Sequence, residues 1–220
     1  MRINKFVALA TGLSRRKADE LIARGEVTVN DLAPEQGQDI TTTDVVRLGK
    51  RVIEAPLSTT TIVFNKPVGY VVSRDGQGSQ TIYDILPPEY GNLKPIGRLD
   101  KYSSGLLLLT NDGNLANELT HPSNQKQKVY EVTIDAPLQP LHRQMISDHG
   151  IQLDDGLSKL QLERMREGND LAWRVVMFEG RNRQIRRTFN ALGYRVKSLH
   201  RTHFGDHTLA KLQPGTTREL

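Results

Sequence analysis

The chain has 220 residues, enough for one larger domain or for a small module joined to a mid-sized one, and the second division is expected. Thirty lysines and arginines against 25 acidic residues, with a pI near 9.5, point to an acidic partner, nucleic acid before an anionic membrane. The lack of cysteine excludes disulfides, thiolate metal sites and thiol redox chemistry, and suits a reducing cytosol. No apolar run approaches the ~20 residues that span a bilayer, so a soluble, unprocessed, cytoplasmic protein is expected. The first segment reads as helical: Phe6, Val7 and Leu9 lead to Gly12, a helix stop, and Ser14 then offers an N-cap. Ala18, Leu21 and Ile22 recur at helical spacing in a second helix, closed by Gly25. The alternation of Val27-Thr28-Val29, the turn pair Asn30-Asp31, and Val45, Val46 and Leu48 predict short strands. Residues 49–60, with mixed charges, Pro56 and a Ser-Thr run, form the expected linker between a domain over 1–48 and one over 61–220. Beyond it the patterning predicts strands over 61–64, 70–73, 106–110, 129–134, 157–164, 171–178 and 194–199. Helices are predicted over 81–86, 114–119, 138–148 and 182–192, giving an α+β chain whose second domain is a mixed sheet flanked by helices.

Arg15, Arg16 and Lys17 fall in the first turn of the second helix, where the positive end of the helix dipole makes cations mildly unfavourable. Free backbone donors and three cations there fit a phosphate contact, and a solvated charged face fits equally well. The segment 1–48 resembles the S4 RNA-binding domain through Arg2-Ile3-Asn4-Lys5-Phe6, Ser14-Arg15-Arg16-Lys17-Ala18 and Gly25-Glu26-Val27-Thr28-Val29-Asn30. That resemblance assigns the three cations to RNA and leaves the reaction open.

The most informative stretch is Pro95-Ile96-Gly97-Arg98-Leu99-Asp100-Lys101-Tyr102-Ser103-Ser104-Gly105, followed by Leu106 to Leu109 and the turn Thr110-Asn111-Asp112-Gly113. Four consecutive leucines predict a strand buried on both faces, and Gly97 and Gly105 allow tight backbone on either side of Asp100. An aspartate between Arg98 and Lys101 suits a nucleophile or base, although turn aspartates that bond their own backbone are commoner. Gly97-Arg98-Leu99-Asp100 with Ser104-Gly105-Leu106-Leu107 resembles the signature of RNA pseudouridine synthases. The resemblance implies a mostly antiparallel mixed sheet and makes Asp100 the catalytic residue. In that family the aspartate attacks the uracil ring or the ribose anomeric carbon so that the base detaches, turns and rejoins through carbon.

Further motifs follow in the same order. Lys128-Val129-Tyr130-Glu131-Val132 resembles the strand whose tyrosine stacks on the uracil; a sheet aromatic with its hydroxyl satisfied is the ordinary alternative. Glu179 to Arg187 resembles the family's basic third motif. Ile185, Phe189 and Leu192 define an apolar stripe there, which turns Arg183 and Arg187 outward and sets Arg186 on the shoulder of the helix. The resemblance makes Arg186 the partner of Asp100 and leaves Arg181, Arg183 and Arg187 for RNA. It places Leu199 in the apolar floor beneath the base, where a strand core residue is the plain reading. Arg98 is expected beside the substrate, and Lys66, in Asn65-Lys66-Pro67-Val68-Gly69-Tyr70, in a structural or substrate-facing role.

The resemblance covers nearly the whole chain and fits best the RsuA/RluB-type branch, with Tyr102, Ser103 and Thr188 as departures that bear on substrate fit. It implies a ribosomal-RNA or pre-ribosomal substrate, a large-subunit uridine before a small-subunit one, and a monomer without cofactor or metal. His200 and His203 read as a surface strand feature. An rRNA methyltransferase joined to an S4 domain would need a glycine-rich nucleotide loop, of which only Gly76-Gln77-Gly78 is present. An inert RNA-binding assembly protein would need only the basic segments.

Overall fold

The computed structural model describes residues 1–54 and 58–220. The chain divides into two compact units, Met1–Thr60 and Thr61–Leu220. In the first, α1 (Ile3–Thr11) ends at Gly12, in the left-handed region at φ 74°. Helix α2 (Arg15–Ala23) begins at Ser14, whose hydroxyl accepts from the Lys17 amide at 3.1 Å. Strands β1 (Val27–Val29), β2 (Val46–Leu48) and β3 (Arg51–Val52) form an antiparallel sheet in that order. Asn30 and Asp31 both take positive φ, and Val29 and Leu32 exchange backbone hydrogen bonds across them, a tight two-residue turn. Ile3, Val7, Ala18, Leu21, Val27 and Ile53 belong to one apolar cluster.

The expected linker is therefore too long at its start. A turn through Gly49, at φ 57°, returns Arg51 to pair with Leu48, and Ile53 is buried in the first unit's core. The charged Lys50 and Arg51 hid that strand from a pattern search. Pro56, cited for the linker, lies outside the described residues.

The second unit holds β4 (Thr61–Lys66), β5 (Lys94–Ile96), β6 (Ser104–Thr110), α3 (Gly113–Thr120), β7 (Lys128–Ile134) and α4 (Pro140–Gln144). There follow β8 (Ile151–Leu153), β9 (Gly156–Ser158), β10 (Gln161–Arg164), β11 (Ala172–Met177), α5 (Gln184–Asn190), β12 (Val196–Phe204), β13 (His207–Thr208) and β14 (Thr217–Glu219). Nine strands make one sheet in the order β10-β11-β7-β12-β6-β4-β14, with β13 on β12 and β5 on β6. Only β12 and β6 run parallel among its pairs; the mostly antiparallel mixed sheet is what the sequence implied.

All four leucines of β6 are fully buried, as predicted, and they serve opposite faces. Leu107 and Leu109 pack with Phe64, Trp173 and Leu199; Leu106 and Leu108 pack with Val63, Leu119 and Phe204. Other predicted elements differ. Residues 70–73 form no strand, because their partner segment offers a single bridge, Val71 to Thr81, before a 3-10 turn (Ile82–Asp84) that replaces the helix over 81–86. The strand over 157–164 is two strands, broken where Leu160 turns into the core and its amide donates to Ile146. The helix over 138–148 keeps α geometry only through α4 and passes into a π turn, Met145–His149.

Candidate active site

Pairing registers align one cross-strand row, Lys66 on β4, Gly105 on β6, Arg201 on β12, Tyr130 on β7 and Val175 on β11. Gly105 has no substitute there. Its φ is +103°, and an added Cβ would lie 2.2 Å from the Arg201 carbonyl oxygen.

The loop between β5 and β6 carries Asp100, and its backbone is held from two sides. From β4, the Lys66 ammonium donates to the carbonyls of Pro67 at 2.9 Å, Asp100 at 3.2 Å and Ser103 at 2.8 Å. From α5, Arg186 donates Nη2 to the Tyr102 carbonyl at 2.8 Å and Nη1 to the Val196 carbonyl at 3.0 Å. Burial lowers the Arg186 guanidinium from its usual range, and Arg183 adds to that effect while Asp100 opposes it. The Gly69 amide also donates to the Lys101 carbonyl at 2.7 Å. The Asp100 side chain is left 33% exposed, so a carboxylate open to solvent stands on fixed backbone.

The arginine touching that carboxylate is Arg183, with Nη1 3.5 Å from Oδ2, which corrects the expected pairing with Arg186. The helical-wheel argument treated Arg183 as a residue of the helix body. It is the N-cap of α5, at φ 46°, so its side chain does not follow the wheel. Arg186 does lie half-buried on the shoulder, and its donors go to loop carbonyls rather than to the carboxylate.

Arg181 and Arg187, expected to face RNA, are engaged within the protein. Arg181 pairs with Asp155 at 2.8 Å and donates to the Leu157 carbonyl, while Arg187 pairs with Asp155 at 2.6 Å and with Asp154. The hydrogen bond from Arg187 is the main cause holding the Asp155 carboxyl below its ordinary range. Sequence reading missed this acidic turn between β8 and β9, since its partners stand about 30 positions away.

Lys66 is fully buried, which removes the substrate-facing alternative and leaves the structural one. Arg98 is exposed at the start of the loop. Tyr130 is 8% exposed, and its hydroxyl lies 3.5 Å from Nη1 of Arg201. Leu199 pairs with Val132 and shares the apolar cluster of Tyr130. Arg201 was also missed, although an arginine two residues after Leu199 falls on the same apolar side of a strand, a visible signal. Arg15, Arg16 and Lys17 are exposed in the other unit; Arg15 donates to Asn4 and Lys17 pairs with Glu20 at 2.7 Å. His200 and His203 bond separately, to Ser104 and Thr202.

Burial pushes the Lys66 ammonium down to about 8, and Asp100 pulls weakly the other way. The folded value lies below the unfolded 10.5, so between those values the unfolded chain binds more protons and stability rises with pH. We therefore expect wild type to gain on Lys66→Met by up to about 3 kcal/mol in unfolding free energy from pH 7 to 10.5. Denaturant titrations of both proteins across that range check it, and parallel pH curves would contradict it.

A model of the RNA pseudouridylate synthase family matches residues 60–191. Ribosomal large subunit pseudouridine synthase B of Xanthomonas campestris is 37% identical over all of this chain and 47% of its own length, so the chain spans about half of that relative. The protein of the same name from Bacillus subtilis is 35% identical over all of this chain and 91% of its own length. A crystal structure of a pseudouridylate synthase shares 31% identity and a TM-score of 0.71, covering 100% of this chain and 96% of that one. A clamped carboxylate loop, a buried tyrosine on the adjoining row and these matches agree: the chain belongs to the RNA pseudouridine synthase family.

Proposed function

We propose that the chain isomerises one uridine of ribosomal RNA to pseudouridine, with Asp100 as the attacking carboxylate. Tyr130 stacks on the base and Leu199 forms the apolar floor. Arg183 supplies the opposite charge at the carboxylate, and Arg186 and Lys66 fix the loop. One observation carries this reading: the carboxylate is a third exposed while the carbonyl of the same residue is tied down by a buried lysine. A nucleophile needs that combination of access and fixed position.

In the reaction the bond from N1 of uracil to C1′ of ribose breaks, the base turns, and a bond from C5 to C1′ forms. The C5 proton leaves and N1 ends protonated, so the product is an isomer and no electrons are exchanged. Attack by Asp100 on the ring or on C1′ satisfies the same balance. The uridine must leave its stack to reach the site, and an apolar floor then keeps the freed base from diffusing away.

The first unit is proposed to act as an S4-like RNA-binding domain. Exposed Arg15 and Arg16 at a capped helix start support this, being free of carboxylate partners among the described residues. A large-subunit target is favoured because relatives at 37% and 35% identity are named for that subunit. We further infer a cytoplasmic monomer that needs no cofactor.

Pseudouridine mapping of rRNA from cells lacking this chain tests the proposal. The expected result is loss of one site in large-subunit rRNA, restored by the wild-type gene. An unchanged map would refute the activity and favour an RNA-binding assembly role; loss of a small-subunit site would correct the target alone.

A further inference from the structure

Three half-buried cations of the second unit have a carboxylate: Arg181 and Arg187 share Asp155, and Lys126 has Glu118 at 2.8 Å. Lys128 and Arg201 are neighbours without one among the described residues. Their charges lie 5.3 and 4.9 Å from the ring centre of Phe204, which pairs with Lys128 across the strands.

Arg201 is only 2% exposed. It donates Nε to the Leu106 carbonyl at 2.8 Å and reaches the Tyr130 hydroxyl at 3.5 Å, while its Nη2 is buried without a partner. Lys128 is half-buried and donates once, to the Lys126 carbonyl at 3.2 Å, so donors remain unused. Burial, and then the charge of Arg201, hold its ammonium below the usual lysine range against the weaker pull of Glu179. Glu179 makes no ion pair with either cation among the described residues; its Oε1 accepts from Arg181 and Gln184. Gly180 leaves the ammonium uncrowded; even a methyl there would stand 3.9 Å away.

Two like charges set close together out of water are unfavourable unless an anion joins them. We propose that Lys128, backed by Arg201, is a subsite for one phosphodiester of the RNA strand, adjacent to the nucleotide held at Tyr130. Lys128 stands two residues from Tyr130 on β7, roughly 7 Å along the strand, with its ammonium over the ring of Phe204. A backbone phosphate flanking a flipped base is the anion such a position meets. Arg201 contributes through its field, and Lys128 makes the contact. The subsite rests on the functional reading above.

The test uses the full chain and an rRNA fragment containing the mapped uridine, made with natural linkages or with a neutral methylphosphonate at each flanking position in turn. Lys128→Gln should bind natural RNA about tenfold more weakly and flatten the logarithmic salt dependence by roughly 0.7 to 0.9, the share of one phosphate. Lys128→Arg should restore both. One methylphosphonate should weaken wild type by a similar factor and leave Lys128→Gln no weaker than it already is. Equal losses for both proteins at every linkage, or wild-type affinity and salt slope in Lys128→Gln, would overturn the subsite. A Lys128→Gln protein that fails to fold leaves Lys128→Arg against the methylphosphonate series, where insensitivity at both flanking linkages is the overturning result. Pseudouridine formation by wild type on the natural fragment is scored separately: its absence sinks the functional reading, while the binding series still decides the subsite.

Discussion

Asp100→Asn is expected to fold and bind RNA like wild type and to lose turnover by roughly a thousandfold or more, about 4 kcal/mol at the barrier. The amide keeps the shape of the side chain and removes the lone pair density and charge that make it a nucleophile. Folding should be indifferent, because the bonds that hold the loop go to the backbone carbonyls of Asp100, Tyr102 and Ser103 and not to the Asp100 side chain. Its only ion pair among the described residues, to Arg183 at 3.5 Å, joins groups 33% and 46% exposed, so its loss costs at most about 1 kcal/mol. The measurement is pseudouridine formed per enzyme at saturating RNA, set beside the binding constant and thermal unfolding of the same preparation. Wild-type turnover in this variant would remove Asp100 from the chemistry.

What the sequence disclosed of this site and what it hid have a common physical origin. The buried β6, the helix stop at Gly12 and the Ser14 cap were legible because local pattern alone dictates them. The Asp100 loop was legible through its motif, with Gly97 and Gly105 both at positive φ around it. Partnerships were a different matter. Arg181, Arg183 and Arg187 look alike in sequence, and only folding reveals that two are tied to an acidic turn while the third reaches Asp100. Lys66 closes a strand whose last residues, Asn65 and Lys66, are as buried as the apolar ones before them. A charged residue at a strand end ordinarily reads as solvent-facing, and two carbonyl acceptors supplied by a distant loop, with a third from the adjacent Pro67, reverse that expectation.

The division between Arg183 and Arg186 yields the second large effect. Arg186→Lys should lower the single-turnover rate at saturating RNA by about a hundredfold, whereas Arg183→Lys should lower it less than about tenfold. Arg186 uses two parts of one planar group to join the Tyr102 carbonyl on the loop to the Val196 carbonyl entering β12. A lysine has a single nitrogen and cannot occupy both positions. One half-buried carbonyl would then lose its donor, at about 1 to 3 kcal/mol, and the loop carrying Asp100 would lose its tie to the sheet. A shift of about 1 Å in a reacting group is enough for a loss of this size. Arg183 is nearly half exposed and meets Asp100 at 3.5 Å through one nitrogen, a contact that lysine can keep as a point charge. Thermal unfolding adds an independent readout, since Arg186→Lys should also destabilise the second unit and Arg183→Lys should not. If Arg183→Lys proved the slower enzyme with Arg186→Lys near wild type, catalysis would depend on the guanidinium at the carboxylate, and the loop clamp would be incidental to it.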